Sequence, residues 1–215
     1  MRRLGIVVGL LSLAATLWAP PACAFKDHTR PGWLVGVGYG GGPGQFDVGP
    51  AQPFNPERGD PGDQQRGASP QIRVGRMVAR HWMLGVNYEG WFYERGDVNE
   101  KERFSLQNVT LAATFYPGNP QNATGGIFLR GGVGLGWGRY AIVPLVEVEG
   151  EIEQEHGDAT DESGLGLVFG AGYEFRIARH FAAGLAASVN YLSIGQDIFD
   201  DGMDVPVALN LSWYF

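Results

Sequence analysis

The stretch Val205-Pro206-Val207-Ala208-Leu209-Asn210-Leu211-Ser212-Trp213-Tyr214-Phe215 decides the fold of this chain. Apolar side chains occupy the odd positions, and small or polar ones occupy the even positions, with Tyr214 as the one bulky exception. Because side chains alternate faces along a strand, the pattern predicts one apolar face and one face of small or polar residues. A soluble protein seldom leaves such an edge bare, whereas a closed membrane barrel has no free edge and needs an apolar outward face. The stretch therefore predicts the closing strand of a transmembrane barrel.

The start of the chain has the pattern of a secretory signal peptide. Arg2 and Arg3 precede an apolar run over residues 4–18, and Pro20-Pro21 and a small-x-small site follow it. The run is short for a bilayer span, so a signal peptide is favoured over a membrane anchor. We expect residues 1–24 to be removed as a signal peptide and residues 25–215 to form one outer-membrane β-barrel domain.

The cysteine count and the charge restrict the chemistry of the mature chain. Cys23 is the only cysteine, so cleavage after residue 24 leaves no thiol, and a lipid attached to Cys23 is the alternative. Loss of Arg2 and Arg3 would change the formal net charge from -7 to -9. A net acidic chain is a poor candidate for nucleic acid or for anionic lipid headgroups. No later apolar run is long enough for a spanning helix, so any membrane crossing must use strands.

Seven further stretches alternate in the same way as the closing one. The predicted strands begin at Trp33 and cover residues 33–40, 71–79, 82–93, 104–116, a stretch from 127, 164–178, 181–192 and 205–215. Long connections are predicted at residues 41–69, 94–103 and 195–204, and glutamates alternating with apolar residues at 146–153 predict a protruding hairpin. Short connections follow strands two, four and six, which is typical of an up-and-down outer-membrane barrel. The predicted fold is all-β, an eight-stranded antiparallel up-and-down transmembrane β-barrel with both termini on the periplasmic side.

The inward faces of the predicted strands are rich in glycine and also carry charge. Glycine accounts for 34 of the 215 residues, and an eight-stranded barrel has an interior that side chains just fill. Inward charges can pair with each other there. A soluble lipocalin-like barrel would reverse the two faces. The predicted polar residues of the barrel interior are Arg73, Glu89, Arg130, Glu174, Arg176 and Asn210.

Two segments resemble small eight-stranded outer-membrane proteins of Gram-negative bacteria, the OmpA/OmpX-like group. These segments are Phe128-Leu129-Arg130-Gly131-Gly132-Val133-Gly134-Leu135-Gly136 and the closing Leu209 to Phe215. The resemblance covers nearly all of the mature chain and implies a place in the cell outer membrane, among its lipids and lipopolysaccharide. It also implies insertion by the outer-membrane assembly machinery, with a C-terminal signal made of Leu209, Leu211, Trp213 and Phe215. One fold hosts many functions, so the resemblance leaves a surface ligand open.

The histidines do not form a catalytic pattern. Some relatives in this group are lipid-modifying enzymes with a histidine and a serine on the barrel wall. Here His28, His81, His156 and His180 lie in a predicted entry segment, turns and an outer loop, and no His-x-Ser-Asn motif occurs. We therefore expect no enzyme, no catalytic residue and no cofactor.

The predicted outer loops are acidic. Carboxylates cluster at residues 147–162 and 197–204 without the spacing of an EF-hand, so a solvated face is favoured over a calcium site. Arg-Gly-Asp at residues 58–60 and 95–97 resembles an integrin-binding tripeptide, although three residues are a weak match. The sequence predicts a monomeric, non-enzymatic structural or surface-interaction protein that presents acidic loops. The alternatives are a narrow channel or transporter of small hydrophobic molecules, and a lipid-modifying enzyme.

Overall fold

A computed structural model describes residues 32–48, 65–79, 81–96, 100–118, 125–148, 151–154, 159–178, 180–194 and 199–215. The regular structure in these ranges is all strand. The strands are β1 (Trp33–Val48), β2 (Gln65–Ala79), β3 (Trp82–Gly96), β4 (Glu100–Phe115), β5 (Gly125–Val148), β6 (Glu151–Gln154), β7 (Ala159–Arg176), β8 (Phe181–Ser193), β9 (Phe199–Asp204) and β10 (Val207–Tyr214). None of the described residues belongs to a helix that is long and apolar enough to cross a membrane. The predicted signal peptide, residues 1–24, lies outside the described residues.

The strands close into one antiparallel ring with eight positions. Each of β1 to β5 pairs with the next, β5 pairs with β7, and β7 pairs with β8. β9 and β10 share the eighth position because both pair with β8 and with β1, while β6 pairs only with β5. At the seam, Trp33 and Phe215 exchange two backbone hydrogen bonds of 2.8 and 3.0 Å. The predicted eight-stranded antiparallel up-and-down barrel is confirmed.

Alternation along each strand separates a lipid-facing wall from a filled interior. In β10 the exposed and buried residues alternate without interruption: Leu209 is 68% exposed, whereas its neighbours Ala208 and Asn210 are buried. Large apolar side chains are similarly exposed on the other barrel strands. Exposed apolar area of this extent is characteristic of the wall of a membrane barrel and would be a liability in water.

The strands extend further outward than the sequence predicts. Much of the predicted loop at residues 41–69 is strand, since Gly41 pairs with Ala68 and Gly44 pairs with Gln65. The loops predicted at residues 94–103 and 195–204 are also partly wrong, because Glu94 pairs with Arg103 and β9 covers Phe199–Asp204. Apolar alternation marks contact with lipid, and these outer ends lack it while their backbones still pair. The prediction therefore stopped these strands short at their outer ends.

Inward glycines allow neighbouring backbones to approach closely. A Cβ added at Gly134 would overlap the carbonyl oxygen of Val109 on β4. At Gly131, on the outward face of the same strand, the nearest atom to such a Cβ is a ring carbon of Phe169 at 3.7 Å. On β5, therefore, the close approach that requires glycine is on the inward face.

The topology predicts which positions react from outside the cell. Lys101→Cys places a thiol near the outer end of the β3–β4 hairpin, and Gly118→Cys places one beyond the opposite end of β4, where a Cβ meets no atom within 4 Å. We expect a membrane-impermeant maleimide to label intact cells carrying Lys101→Cys only, and to label both variants after permeabilisation. If residues 1–24 are cleaved as the sequence predicts, the added cysteine is the sole thiol. Labelling of Gly118→Cys alone in intact cells would contradict this orientation.

Candidate functional site

The inward-facing side chains form three layers along the barrel. Two apolar clusters lie toward the two ends, and polar residues fill the interior between them. In the predicted orientation, with both termini in the periplasm, the cluster near the termini is called the periplasmic cluster and consists of Leu34, Met83, Tyr116, Phe128, Ala182, Ala186 and Tyr214. The outer cluster consists of Trp91, Phe104, Leu106, Leu192 and Ile194, with Tyr93 and Tyr140 packed against it. The polar layer includes Gln71, Arg73, Asn87, Glu89, Asn108, Thr110, Arg130, Ser188, Asn190, Asn210 and Ser212, all buried.

Glu89 is the centre of the polar layer. One carboxylate oxygen lies 2.5 Å from Nη2 of Arg130, and the other accepts a hydrogen bond of 2.9 Å from the Ser188 hydroxyl. The side chains of Arg130 and Glu89 are 1% and 0% exposed. Glu89 therefore joins β3, β5 and β8 across the interior through a buried charge pair.

Arg73 makes a second connection across the barrel. Its Nη2 donates a hydrogen bond of 3.2 Å to the Ser212 hydroxyl, and its guanidinium carbon lies 5.6 Å from the centre of the Phe128 ring. The guanidinium thus links β2, β5 and β10. Its contacts are a hydroxyl and a π face, so they hold the side chain without a carboxylate.

Tyr214, the bulky exception in the closing stretch, fills the periplasmic end of the interior. Its hydroxyl donates a hydrogen bond of 2.5 Å to Glu174, and the guanidinium of Arg176 lies 4.1 Å from its ring centre. Tyr214 is fully buried. Tyr214 is therefore the one large inward residue of the closing strand, and both Glu174 and Arg176 contact its side chain.

All six residues predicted for the polar interior are buried in the described structure: Arg73, Glu89, Arg130, Glu174, Arg176 and Asn210. The structure brings Glu89 together with Arg130, and it places Glu174 and Arg176 around Tyr214. Asn210 instead donates to the carbonyl of Ala208 at 3.2 Å. Sequence reasoning missed Ser188 and Ser212 as partners, because a small residue on an inward face carries no signal of what it contacts.

The residues predicted as an assembly signal lie on the lipid-facing wall. Each of the four is more than half exposed: Leu209, Leu211, Trp213 and Phe215. The Trp213 ring stacks on Phe181 with centres 5.5 Å apart and meets Phe215 edge-on at 6.2 Å. These contacts form part of an aromatic belt at the periplasmic end.

The two turn histidines, His81 and His180, each contact a backbone carbonyl group, a role that the sequence did not predict. Nδ1 of His81 lies 2.8 Å from the carbonyl oxygen of Tyr116, and Nδ1 of His180 lies 2.8 Å from that of Tyr214. In both cases the histidine carbonyl accepts the backbone N–H of the same tyrosine. The echo of Ala-Arg-His-aromatic at residues 79–82 and 178–181 was the available signal. His28 and His156 lie outside the described residues.

The β3–β4 hairpin carries paired charges at the outer rim. Glu94 accepts a hydrogen bond of 2.9 Å from Arg103 and lies 3.1 Å from Lys101. The hydrogen bond from Arg103, followed by that from Lys101, holds the pKa of Glu94 below its usual value. A lowered carboxylate pKa stabilises the folded state above the unfolded-state pKa, and this contribution is lost as the pH falls through the folded-state value. The pair is exposed, so its contribution is small.

The predicted glutamate hairpin is present as the antiparallel pairing of β5 with β6. In the backbone register, Val146 pairs with Glu153, Glu147 with Ile152, and Val148 with Glu151. Among the described residues, no group of three or more His, Cys, Asp or Glu side chains is arranged to hold a metal ion.

Both ends of the interior are closed to solvent. Trp91 and Leu192 in the outer cluster, and Leu34 and Tyr214 in the periplasmic cluster, are at most 1% exposed. The side chains that line a water-filled pore would be accessible along its length. The described interior therefore has the packing of a plugged barrel.

Comparisons with known proteins agree with this architecture. The model of a family described as "Outer membrane protein beta-barrel domain" matches residues 9–215. Ail, the attachment invasion locus protein of Yersinia pestis, solved with the heparin analogue sucrose octasulfate, has a TM-score of 0.50 at 15% identity, over 84% of this chain and 99% of that one. Neisserial surface protein A has a TM-score of 0.54 at 14% identity, over 86% and 99%. Identity this low reports a shared fold only. No curated protein matches the chain.

The buried pair predicts a large loss of stability when one partner is removed. Glu89→Gln leaves the guanidinium of Arg130 buried without a carboxylate, which costs about 3–5 kcal/mol of unfolding free energy. The measurement is urea unfolding of the barrel in lipid vesicles, followed by tryptophan fluorescence. Glu94→Gln, which breaks an exposed pair, is the matched control and should change the free energy little. Equal effects of the two substitutions would refute the assigned role of Glu89.

Proposed function

The chain belongs to the outer membrane protein beta-barrel domain family, and from this premise we propose that it is a closed, non-enzymatic barrel with a structural or surface-interaction role. Its location is the cell outer membrane. In this proposal the barrel is a monomer among outer-membrane lipids and lipopolysaccharide, and it presents acidic hairpins outside the cell. It needs no cofactor.

The filled interior is the observation that carries the proposal. Apolar clusters near both ends enclose a polar layer in which Glu89 pairs with Arg130 and accepts a hydrogen bond from Ser188. These side chains tie strands from different parts of the ring together. Because the interior side chains hold the wall together, the outer ends of the strands are a surface left for contact with a partner.

The outer ends of the strands support a role in presentation. β3 and β4 remain paired as far as Gly96 and Lys101, and β5 continues to Val148, where it forms a hairpin with β6. Charged residues concentrate there, with an excess of carboxylates in residues 147–162. Paired strands hold their side chains in a fixed arrangement at lower entropic cost than free loops, which favours recognition of a surface partner.

The plugged interior predicts the absence of a stable channel. We expect the purified full-length barrel to give no steady open state in planar lipid bilayers, because a continuous water path would have to displace Trp91 and Tyr214. A porin of sixteen strands, reconstituted in the same way, shows that the assay detects an open barrel. A reproducible conducting state would favour the channel alternative. Lipid A mass spectra that change on expression of the chain would favour the enzyme alternative.

We also propose that Leu209, Leu211, Trp213 and Phe215 act as the signal for the outer-membrane assembly machinery. The ring of Phe215 is exposed, while its backbone closes the seam with Trp33. Closure therefore uses the backbone of Phe215, and the exposed side chain is accessible to a receptor.

A side-chain substitution tests the signal without touching the seam. Phe215→Ala keeps both backbone bonds to Trp33, and we expect it to lower the amount of barrel in the outer membrane severalfold while leaving spontaneous refolding into lipid vesicles nearly unchanged. Phe181→Ala removes another exposed aromatic ring at the same end and is the matched control. Quantitative blots of outer-membrane fractions give the result. Equal losses in both variants would mean that the belt, and not the signal, is what Phe215 supplies.

A further inference from the structure

A groove on the outside of the barrel lies beside the seam. It has a volume of about 590 Å³ and is lined by Gly41, Gly42, Pro43, Arg66, Val205 and Val207. We call it the seam groove. Its volume falls within the range of about 300–1,000 Å³ that is typical of ligand sites.

Two local features produce the seam groove. Gly41, between Ala68 on β2 and Val207 on β10, contributes no side chain to the outer wall. The strand opposite is interrupted at Val205-Pro206, between β9 and β10. The wall is therefore thin along β1, with the side chains of β2 and β10 standing on either side.

The seam groove opens outward and is closed toward the interior. Pro43, Arg66 and Val207 are on the exposed face of their strands. Behind them, the buried indole of Trp91 donates a hydrogen bond of 3.0 Å to the carbonyl of Gly42. A ligand in the seam groove would therefore contact the surroundings of the barrel and not its core.

The position along the strand places Arg66 at the level of the outer-leaflet headgroups. Pro43 is paired with Arg66 and lies ten residues from Trp33, the aromatic residue at the periplasmic end of β1. A strand that rises about 3.3 Å per residue and tilts by about 40° climbs about 25 Å over that distance, which is the height of the apolar band. The exposed Tyr39 lies between them on the same face.

Arg66 is a cation without a partner among the described residues. Its side chain is exposed and makes no hydrogen bond or ion pair with any of them, while its backbone lies in the β1–β2 ladder. Arg103 and Arg139, which also lie near the outer end, pair with Glu94 and Asp161 at 2.9 and 3.4 Å. A guanidinium at the headgroup level that pairs with no described residue, above an apolar wall, is complementary to a lipid that carries a phosphate above acyl chains.

We propose that the seam groove binds one molecule of lipopolysaccharide, with a phosphate on its glucosamine headgroup against Arg66. An acyl chain lies below it along Val207 and Leu209. The guanidinium fork matches two phosphate oxygens, and the valine and proline walls exclude water from the contact. This inference rests on the proposed function only for the location in the outer membrane.

Native mass spectrometry of the detergent-solubilised barrel tests the site, with bisphosphorylated lipid A as the probe. Arg66→Gln removes the charge and keeps a polar, hydrogen-bonding side chain, and Val207→Trp fills the groove and keeps the charge of Arg66. We expect both to weaken binding about tenfold or more, as for loss of a charged hydrogen bond in a partly dry site. Arg139→Gln is the matched control, because it removes an outward arginine that already has a carboxylate partner, and it should bind as the unmodified chain does.

A comparison of different lipids shows which lipid supplies the phosphate that the groove binds. We expect lipid A stripped of its phosphates, and also phosphatidylglycerol, to bind the unmodified chain much more weakly than bisphosphorylated lipid A. Unchanged binding by Arg66→Gln, or equal binding of the stripped lipid, would overturn the proposal, and equal binding of phosphatidylglycerol would assign the groove to a glycerophospholipid. None of these results would alter the closed state measured in planar bilayers, so the two proposals fail separately.

Discussion

Backbone pairing between β1 and β10 is the constraint on which the rest of this structure depends. No water is available in the hydrocarbon layer to satisfy an unpaired N–H or C=O group, so a sheet in lipid must close on itself. Here the ring closes between Trp33 and Phe215, near the two ends of the described chain. The last strand must therefore be apolar outside, small or well bonded inside, and complete to its final residue.

Closure also creates a narrow interior, in which polar groups must find partners within the protein. A charge inside an eight-stranded barrel is costly unless it is paired and hydrogen-bonded. Glu89, Arg130 and Ser188 meet from the third, fifth and seventh positions of the ring, so one cluster spans half of the wall. A buried pair is weak evidence of net stability, since an apolar core of equal volume can be as stable. Its directional bonds do favour a single strand register.

A rigid, closed frame confines interaction to the outside of the molecule. The lipid-facing wall and the outer hairpins are the two surfaces left, and each has one local departure from a plain barrel. On the wall, Gly41 and the break at Val205-Pro206 leave the seam groove beside Arg66. At the rim, the β5–β6 register places glutamates opposite apolar residues. The fold supplies the scaffold, and such local sites carry the function.

The sequence alone determined the fold class, the number of barrel strands and the face on which the residues of the predicted strands lie. Side-chain alternation is a local property of extended backbone, so Leu209 outward and Asn210 inward follow from their positions. It also determined that Arg73, Glu89, Arg130, Glu174 and Arg176 face inward. The outer-membrane location was expected from the resemblance, which rested on two short segments.

Only the tertiary structure decided which inward residues meet and how far the strands run. Contacts such as Glu89 with Ser188 depend on the curvature and stagger of the whole ring, which no local pattern encodes. The outer parts of β1, β2 and β9 were missed because apolar alternation reports contact with lipid, whereas pairing above the lipid requires only backbone. The seam groove was hidden for the same reason, since it combines a glycine, a break and an arginine from three separate strands.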